Sequence, residues 1–289
     1  MSRVVLITGC RSGFGLLTAA AAGRAGWTVY AGLRALEHGD ALREATAGLD
    51  VRPIVLDVTS AEQREQAIAQ IIRETGRLDA LVNNAGQALG GFLELVEEDE
   101  LRAIFETNLF GAWALTRLAL PHLRAHTPST VVMVSSASGR MAIPGLGAYA
   151  ASKFALEGLS EAWRHELALF GVRVVLIEPG AYRTDIFGRN RQISRGVSAP
   201  GVYAPWVAGM DKVFASVVDR VARDPAEVAE VIVRVLSDPR PPLRTPIGPS
   251  TGVRAALRAL IPERVTEAII GRLLRHAREQ GERLLAQKP

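Results

Sequence analysis

A tyrosine, a lysine and a serine are spaced along the chain in a way that could support acid–base chemistry. The segment Tyr149-Ala-Ala-Ser-Lys153 reads as the start of a helix, and residues four apart on a helix share a face. The Lys153 ammonium would then favour the ionised Tyr149 phenol and lower its pKa from the ordinary value near ~10. Ser136, at the end of an apolar run, could hydrogen-bond the same substrate oxygen. The alternative is that this spacing marks only a helix start.

The composition makes the lysine unusual. The 34 basic residues include only three lysines, Lys153, Lys212 and Lys288, so arginine carries nearly all of the positive charge. An ammonium is a compact donor, whereas a guanidinium is a wide planar fork, and the two are not interchangeable in a tight site. Lysine at position 153 therefore favours a specific role.

The amino-terminal segment predicts a phosphate-binding turn. An apolar run from Val4 to Ile7 precedes a glycine-rich turn, and a helical pattern over Leu16 to Ala25 follows it. Glycines let the backbone approach a pyrophosphate, and a helix N-terminus offers it free N–H groups. The spacing is Gly-x-x-x-Gly-x-Gly, and a plain strand-to-helix turn is the alternative. The turn contains Thr8, Gly9, Cys10, Arg11, Ser12, Gly13, Phe14 and Gly15.

Strand-like and helical runs alternate along the chain, which predicts an α/β fold with a doubly wound parallel sheet. The strand-like runs begin near Val4, Trp27, Val51, Leu78, Thr130, Val172 and Leu243. We expect one catalytic domain over residues 1–250, with a helical lid at about 183–224, and a helical extension over 251–289 packed on it. Ligands of such sheets bind beyond the carboxyl ends of the strands. Those ends fall at Gly9, Arg34, Asp57, Asn84, Ser136 and Pro179.

The order of the motifs resembles that of the short-chain dehydrogenases/reductases, over nearly the whole chain. The motifs are Thr8 to Gly15, Asn83-Asn84-Ala85-Gly86, Asn108, Ser136, Tyr149 with Lys153, and Pro179-Gly180. The stretches Cys10 to Gly15 and Ala151 to Gly158 are similar to the hydroxysteroid and retinol dehydrogenase branch. The resemblance implies a single-domain Rossmann-type fold that binds a dinucleotide. It also implies a homodimer or homotetramer joined through the helices of residues 101–124 and 149–169.

The resemblance implies a role for each of four residues. Tyr149 would be the general acid/base, Lys153 would bond the nicotinamide ribose and tune Tyr149, and Ser136 would orient the carbonyl. Asn108 would hold a water of the proton relay. Within the apolar helical stretch Leu101 to Leu120, Asn108 could equally bridge packed helices, since a buried amide needs hydrogen-bond partners.

The residues after the second strand favour NADP(H) over NAD(H). An acidic side chain there would bind the ribose 2′-hydroxyl of NAD, but the first carboxylate is Glu37. Arg34 and Arg11 instead offer guanidinium groups to a 2′-phosphate. NAD(H) is the alternative if Arg34 is solvated and Arg11 pairs with a carboxylate. Asp57 would contact adenine or cap the helix near Ser60. The expected cofactor-binding residues are Thr8, Gly9, Arg11, Ser12, Gly13, Phe14, Gly15, Arg34, Asp57, Val58, Asn84, Ala85, Gly86, Tyr149, Lys153, Pro179, Gly180 and Thr184.

The long segment between Pro179 and Pro225 predicts a lid over an apolar substrate. An apolar ketone, aldehyde or alcohol fits it best, and steroid, retinoid, lipid and polyketide ketones fit equally. The alternative is that the aromatic residues only pack the lid onto the body. The expected pocket residues are Met141, Ile143, Leu146, Phe187, Tyr203, Trp206 and Met210.

Charge and composition narrow the class of protein. The net charge of +4 and the pI of about 9.6 come largely from an arginine-rich amphipathic tail after Gly252, broken at Pro262. We expect this tail to pack within the protein, the alternative being an anionic membrane surface. No nucleic-acid motif accompanies the arginines.

The remaining features predict a cytoplasmic protein without a metal. One cysteine excludes an internal disulfide, no apolar stretch is long enough to span a membrane, and a strand already begins at Val4, so we expect no leader. His122 and His126 have zinc-protease spacing, but Leu123 replaces the required glutamate. The chain is therefore expected to be an NADP(H)-dependent oxidoreductase, the alternative being a catalytically silent NADP(H)-binding sensor.

Overall fold

A seven-stranded parallel sheet organises the computed structural model, which describes residues 2–184, 191–210, 212, 222–248, 252 and 260–287. Its strands are β1 Val4–Ile7, β2 Thr28–Leu33, β3 Val51–Val55, β4 Ala80–Asn83, β6 Ser129–Val134, β7 Val172–Pro179 and β9 Arg244–Ile247. They lie side by side in the order β3-β2-β1-β4-β6-β7-β9. The predicted doubly wound parallel sheet is confirmed.

Helices cover both faces of this sheet. They are α1 Gly13–Arg24, α2 Asp40–Ala45, α3 Ala61–Thr75, α4 Glu98–Phe105, α5 Ala112–Ala125, α6 Gly147–Ala168, a helix over Ala226–Ser237 and the C-terminal helix Glu263–Ala286. Residues 204–210 are also helical, and we call them the lid helix. A separate two-stranded sheet pairs β5 Leu89–Gly90 with β8 Gln192–Ile193.

The strands are apolar on both sides because each side is buried. Leu6 and Leu81 point into a core shared with α3, α5 and α6, while their neighbours Ile7 and Val82 point into a core shared with α1 and the helix Ala226–Ser237. Each such side chain contributes about 1.5–3 kcal/mol by leaving water. This two-sided burial is why the strands read as continuous apolar runs.

The strand order creates a crevice at the carboxyl edge of the sheet. β1 pairs with β2 on one side and with β4 on the other, so Ile7 lies beside both Ala31 and Val82. The chain connections therefore diverge in opposite directions from β1, which leaves an opening above the ends of these strands. The turns after them line this opening.

The stretch from Leu101 to Leu120 is not one regular helix, which corrects that expectation. A π-helical turn over Glu106–Gly111 separates α4 from α5. A π turn inserts one residue and changes the direction of the side chains that follow. Gly111 sits directly on Val58, where an added Cβ would lie 2.8 Å from the Val58 oxygen. The turn carries Asn108, which is 1% exposed.

The C-terminal helix crosses the lid helix at two glycines. An added Cβ at Gly281 would lie 2.6 Å from the Pro205 carbonyl carbon, and one at Gly209 would lie 2.6 Å from that of Ala277. The backbones can approach this closely only because both glycines lack side chains. The helix begins directly after Pro262, whereas most of the expected helix before Pro262 lies outside the described residues.

Candidate active site

The glycine turn after β1 is tied to the turn after β4. The Asn84 amide group donates to the Thr8 and Gly9 carbonyls at 2.8 and 3.2 Å, and the Thr8 hydroxyl accepts from the Ala85 N–H at 2.8 Å. Gly9 has a φ of +72°, and an added Cβ at Gly15 would lie 2.5 Å from Asn84 Nδ2. The backbone thus forms a cradle that side chains would fill.

The start of α1 is open to an anion. No side chain caps its N-terminus at Ser12, and its first turn contains no acidic residue. The free N–H groups and the positive end of the helix dipole therefore face the crevice. Thr184 lies against the same turn, 3.7 Å from where a Cβ on Gly13 would be. These features fit the pyrophosphate of a dinucleotide.

A cavity of about 570 Å³ brings most of the predicted residues together. Thr8, Gly15 and Asn108 do not line it, but Thr8 and Gly15 lie under the turn and hold its shape. The predicted residues that line it are Gly9, Arg11, Ser12, Gly13, Phe14, Arg34, Asp57, Val58, Asn84, Ala85, Gly86, Ser136, Tyr149, Lys153, Pro179, Gly180 and Thr184.

Tyr149, Ser136 and Lys153 meet at one end of this cavity. The Tyr149 and Ser136 side chains are hydrogen-bonded to each other. Lys153 Nζ donates to the Val134 carbonyl at 2.9 Å and lies 5.8 Å from the centroid of the Tyr149 ring. All three residues are buried. The structure thus brings together the three side chains that were named from the sequence.

Asn108 lies just behind this group. Its Oδ1 accepts from the Gln87 N–H at 2.9 Å, and its Nδ2 donates to the Gln87 carbonyl and to the Ser152 hydroxyl. An added Cβ at Gly86 would be 3.3 Å from Asn108 Oδ1 and 3.6 Å from Lys153 Nζ. Asn108 therefore bridges elements, as its alternative interpretation expected, and also neighbours Lys153.

Burial controls the protonation of the tyrosine and the lysine. Burial raises the pKa of Tyr149 to about 12, against a smaller lowering by its hydrogen bond with Ser136. Burial also lowers the pKa of Lys153 to about 8, against an opposing effect of Glu157. The expected net lowering of the Tyr149 pKa is therefore wrong for this structure. The cost of removing the phenolate charge from water dominates here.

Two arginines line the cavity, in the turn after β1 and directly after β2. Arg11 and Arg34 are both exposed, and neither forms an ion pair with any residue that the structure describes. Asp57 Oδ1 accepts from the backbone N–H and the hydroxyl of Thr59, whereas Ser60 caps α3. Asp57 is therefore not the helix cap, which removes one of its two expected roles.

The substrate-side residues divide into two groups. The Met210 methyl lies 3.7 Å from where a Cβ on Gly145 would be, so the lid helix reaches the loop of Met141, Ile143 and Leu146. Tyr203 instead stacks on Phe92 and donates to Glu94, and Trp206 lies against Tyr203 and Arg278. None of these six residues lines the cavity, and Phe187 lies outside the described residues.

Several cavity residues were missed by the sequence reasoning. They include Gln87, Thr107, Arg191, Gln192, Tyr182 and His38. Gln87 directly follows the Asn83–Gly86 motif and could have been included on that ground. Arg191 and Gln192 reach the cavity because β8 pairs with β5, a long-range contact that no local pattern signals.

Two expected absences can be examined in the part of the chain that the structure describes. There, no cluster of three or more His, Cys, Asp or Glu residues could hold a metal ion. His122 and His126 are half-buried, and the His126 ring contacts the Gly76 carbonyl at 3.2 Å. In the same residues, no helix has both the length and the apolar character needed to cross a bilayer.

The chain is similar to known proteins that belong to one family. The model of the family described as short chain dehydrogenase matches residues 3–194. A 3-ketodihydrosphingosine reductase of Bacteroides thetaiotaomicron is 36% identical over 247 residues, which are 86% of this chain and 88% of the relative. Retinol dehydrogenase 8 of Bos taurus is 33% identical over 270 residues, or 90% of this chain and 86% of the relative. The resemblance to the hydroxysteroid/retinol branch is confirmed.

A solved structure supports the same relationship. A short-chain dehydrogenase from Streptomyces avermitilis has a TM-score of 0.76 and 37% sequence identity. The match covers 93% of this chain and 99% of that chain.

Proposed function

The chain belongs to the short-chain dehydrogenase family, which acts on CH–OH and C=O groups, and we propose that it is an NADP(H)-dependent oxidoreductase of apolar substrates. It interconverts a ketone or aldehyde and the corresponding alcohol, with Tyr149 as the general acid/base. The observation that carries this proposal is the hydrogen-bonded Tyr149 and Ser136 pair beside Lys153, inside the cavity that the glycine turn also lines.

Ser136 and Tyr149 hold the carbonyl oxygen of the substrate and deliver a proton to it. Because burial keeps Tyr149 protonated at neutral pH, the phenol is ready to donate to an oxygen that gains negative charge. In the reverse direction the phenolate must form, and a charged Lys153 stabilises it. A nicotinamide cofactor, when bound, supplies or accepts the hydride. Asn108 holds a water through which the proton on Tyr149 is replaced.

The arrangement of charges supports NADP(H) as the cofactor. The cradle of Gly9, Gly13 and Gly15 would hold the pyrophosphate, and Lys153 would bond the nicotinamide ribose. Arg11 and Arg34 would hold the 2′-phosphate, because a planar guanidinium matches phosphate oxygens and no described carboxylate neutralises either group. NAD(H) is the other cofactor that the cradle would accept.

The lid supports an apolar substrate. Met210 and Leu146 are buried, Met141 and Ile143 are partly buried, and the Met210 methyl reaches the loop that precedes Tyr149. Residues 1–250 form the catalytic domain of this proposal, with a lid at about 183–224. Residues 251–289 form an extension, and the contact of Gly281 with Pro205 supports its packing on the lid.

The proposal also includes a homodimer or homotetramer in the cytoplasm. Phe110 and Phe154 are 48% and 42% exposed on the two helical regions expected to join the subunits. Burial of these two exposed side chains against a second copy of the chain would stabilise the assembly.

The test is the oxidation of NADPH across a panel of apolar ketones and aldehydes. Tyr149→Phe should reduce turnover by about 10²- to 10⁴-fold, because it removes the proton donor, and it should bind NADPH as the wild type does. Tyr30→Phe is the matched control, since that hydroxyl bonds Glu74 and Tyr30 does not line the cavity, and its activity should be unchanged. Tight NADPH binding without any turnover would instead favour the silent sensor.

A further inference from the structure

A buried carboxylate lies on the far side of Lys153 from the cavity. Glu157 is 4% exposed and follows Lys153 by one turn of α6, as Lys153 follows Tyr149. The three titratable groups therefore lie along one face of the helix at intervals of four residues. Glu157 does not line the cavity, so contact with a ligand does not explain its burial.

Glu157 shares its main partner with two other carboxylates. Arg244 Nε lies 3.0 Å from Glu157 and 3.4 Å from Glu178, and its Nη2 lies 2.6 Å from Glu161. Arg140 is the second guanidinium of the group, 3.2 Å from Glu178. Three carboxylates thus face two guanidinium groups. Burial and the charge of Glu157 raise the pKa of Glu178 to about 7, which shows how crowded the negative charge is.

One oxygen of Glu157 has no hydrogen-bond partner in the part of the chain that the structure describes. Oε2 accepts from Arg244, whereas Oε1 is buried without a partner among the described residues, as is the Ser135 hydroxyl. Gly139 packs directly against this place, where an added Cβ would lie 3.0 Å from Glu157 Cγ and 2.7 Å from Ser135 Oγ. The carboxylate is therefore held in position, and its charge is only partly compensated by Arg244.

Lys153 is a buried positive charge, as Glu157 is a buried negative one. Its ammonium is buried, donates to the Val134 carbonyl at 2.9 Å, and loses its proton more easily because it is removed from water. Glu157 opposes this loss of the proton, and the Tyr149 ring centroid lies 5.8 Å from Lys153 Nζ; both residues are on α6. An opposite charge within reach favours the charged form of a buried group.

We propose that Glu157 is a positioning residue that keeps the Lys153 ammonium charged, and this inference deepens and rests on the proposed function above. Glu157 touches neither cofactor nor substrate and acts through Lys153. The groups near Glu157 are Arg244 on β9, Glu178 on β7, Ser135 after β6 and Lys153 on α6. Arg140 and Glu161 belong to the same cluster through Glu178 and Arg244.

The chain allows a direct test, because it contains only three lysines. In a Lys212→Arg, Lys288→Arg background of the full chain, Lys153 is the one lysine, and its side chain can be titrated by NMR after isotope labelling. Glu157→Gln should lower the midpoint of the Lys153 titration by about one pH unit, a tenfold change in proton affinity. Glu161→Gln removes another Arg244 partner from the same helix, 51% exposed, and should leave the midpoint unchanged.

An unchanged midpoint in Glu157→Gln would overturn the proposal, and so would an equal change in Glu161→Gln. If Glu157→Gln does not fold because Arg244 is left without its partner, Arg244→Met is added both to Glu157→Gln and to Glu161→Gln, so that the loss of the Arg244 charge is common to the two double variants. The Lys153 midpoint should then be lower in the double variant that lacks Glu157, and equal midpoints in the two would overturn the proposal.

The NMR measurement needs neither cofactor nor substrate. If no ketone is turned over, the proposed function fails, yet the change in the Lys153 midpoint is still measured. If ketones are turned over, the high-pH limb of the rate profile should fall at lower pH in Glu157→Gln by the same amount. A limb that stays in place while the midpoint changes would contradict the action of Glu157 through Lys153.

Discussion

Replacing Arg34 by alanine should weaken the binding of NADPH and leave that of NADH nearly unchanged. Arg34 follows β2 directly, is exposed and lines the cavity. No ion pair with a described residue has to be broken before its guanidinium can bind a phosphate. NADH has no 2′-phosphate, so it loses nothing specific when the guanidinium is removed.

The size of the effect follows from the kind of contact. A hydrogen bond to a charged group contributes about 1.5–3 kcal/mol, and about 1.4 kcal/mol changes a dissociation constant tenfold. Because Arg34 is exposed to water and salt, the lower end of this range applies. We therefore expect NADPH to bind about tenfold more weakly. Arg34→Asp should cause a larger loss, because the carboxylate repels the phosphate.

The assay is isothermal titration calorimetry of NADPH and of NADH, at one constant ionic strength. Arg24→Ala is the matched control, since Arg24 is also exposed and arginine but lies at the far end of α1, away from the cavity. Equal losses of NADPH and NADH affinity in Arg34→Ala would refute the assignment of the phosphate to Arg34. An equal loss in Arg24→Ala would show a general effect of net charge.

Three further outcomes are expected. Gly281→Ala should destabilise the protein by about 1–3 kcal/mol in denaturant unfolding, because its Cβ would meet the Pro205 backbone, whereas Gly271→Ala in the same helix should not, since its nearest atom is 3.4 Å away in a flexible arginine. Ketone reduction should decline as the pH rises through about 8, where Lys153 loses its proton, while Tyr149 stays protonated until about 12; a profile without that limb would contradict the assignment. Phe110→Glu and Phe154→Glu should each shift the protein to a smaller species in sedimentation, and a monomeric wild type would exclude this interface.

The layered fold and the turn after β1 were predictable because local patterns encode them. A strand buried on both faces must be apolar throughout, so β1 and β7 are visible as continuous runs. The turn is visible in the sequence because Gly9 has a φ of +72°, which no other residue type adopts as readily as glycine. The π turn at Asn108 was not predictable, since one inserted residue leaves no periodic signal.

The candidate site was predictable as a set of residue types and not as an electrostatic environment. Tyr149, Lys153 and Ser136 could be named from their spacing, since four residues make one helical turn wherever the helix lies. Their protonation could not, because desolvation depends on everything that covers a group. The burial of Tyr149 reversed the expected direction of its pKa shift.

Contacts between distant parts of the chain could not be predicted from residue spacing. Arg244 reaches Glu157 across 87 positions, and β8 brings Gln192 to the cavity by pairing with β5. Residue types and their spacing along the chain indicate which reaction chemistry is available, because spacing within one helix or turn fixes the local geometry. Packing between elements decides which charges are paired, which are removed from water and which glycines must stay glycine. Only the folded chain brings those elements into contact.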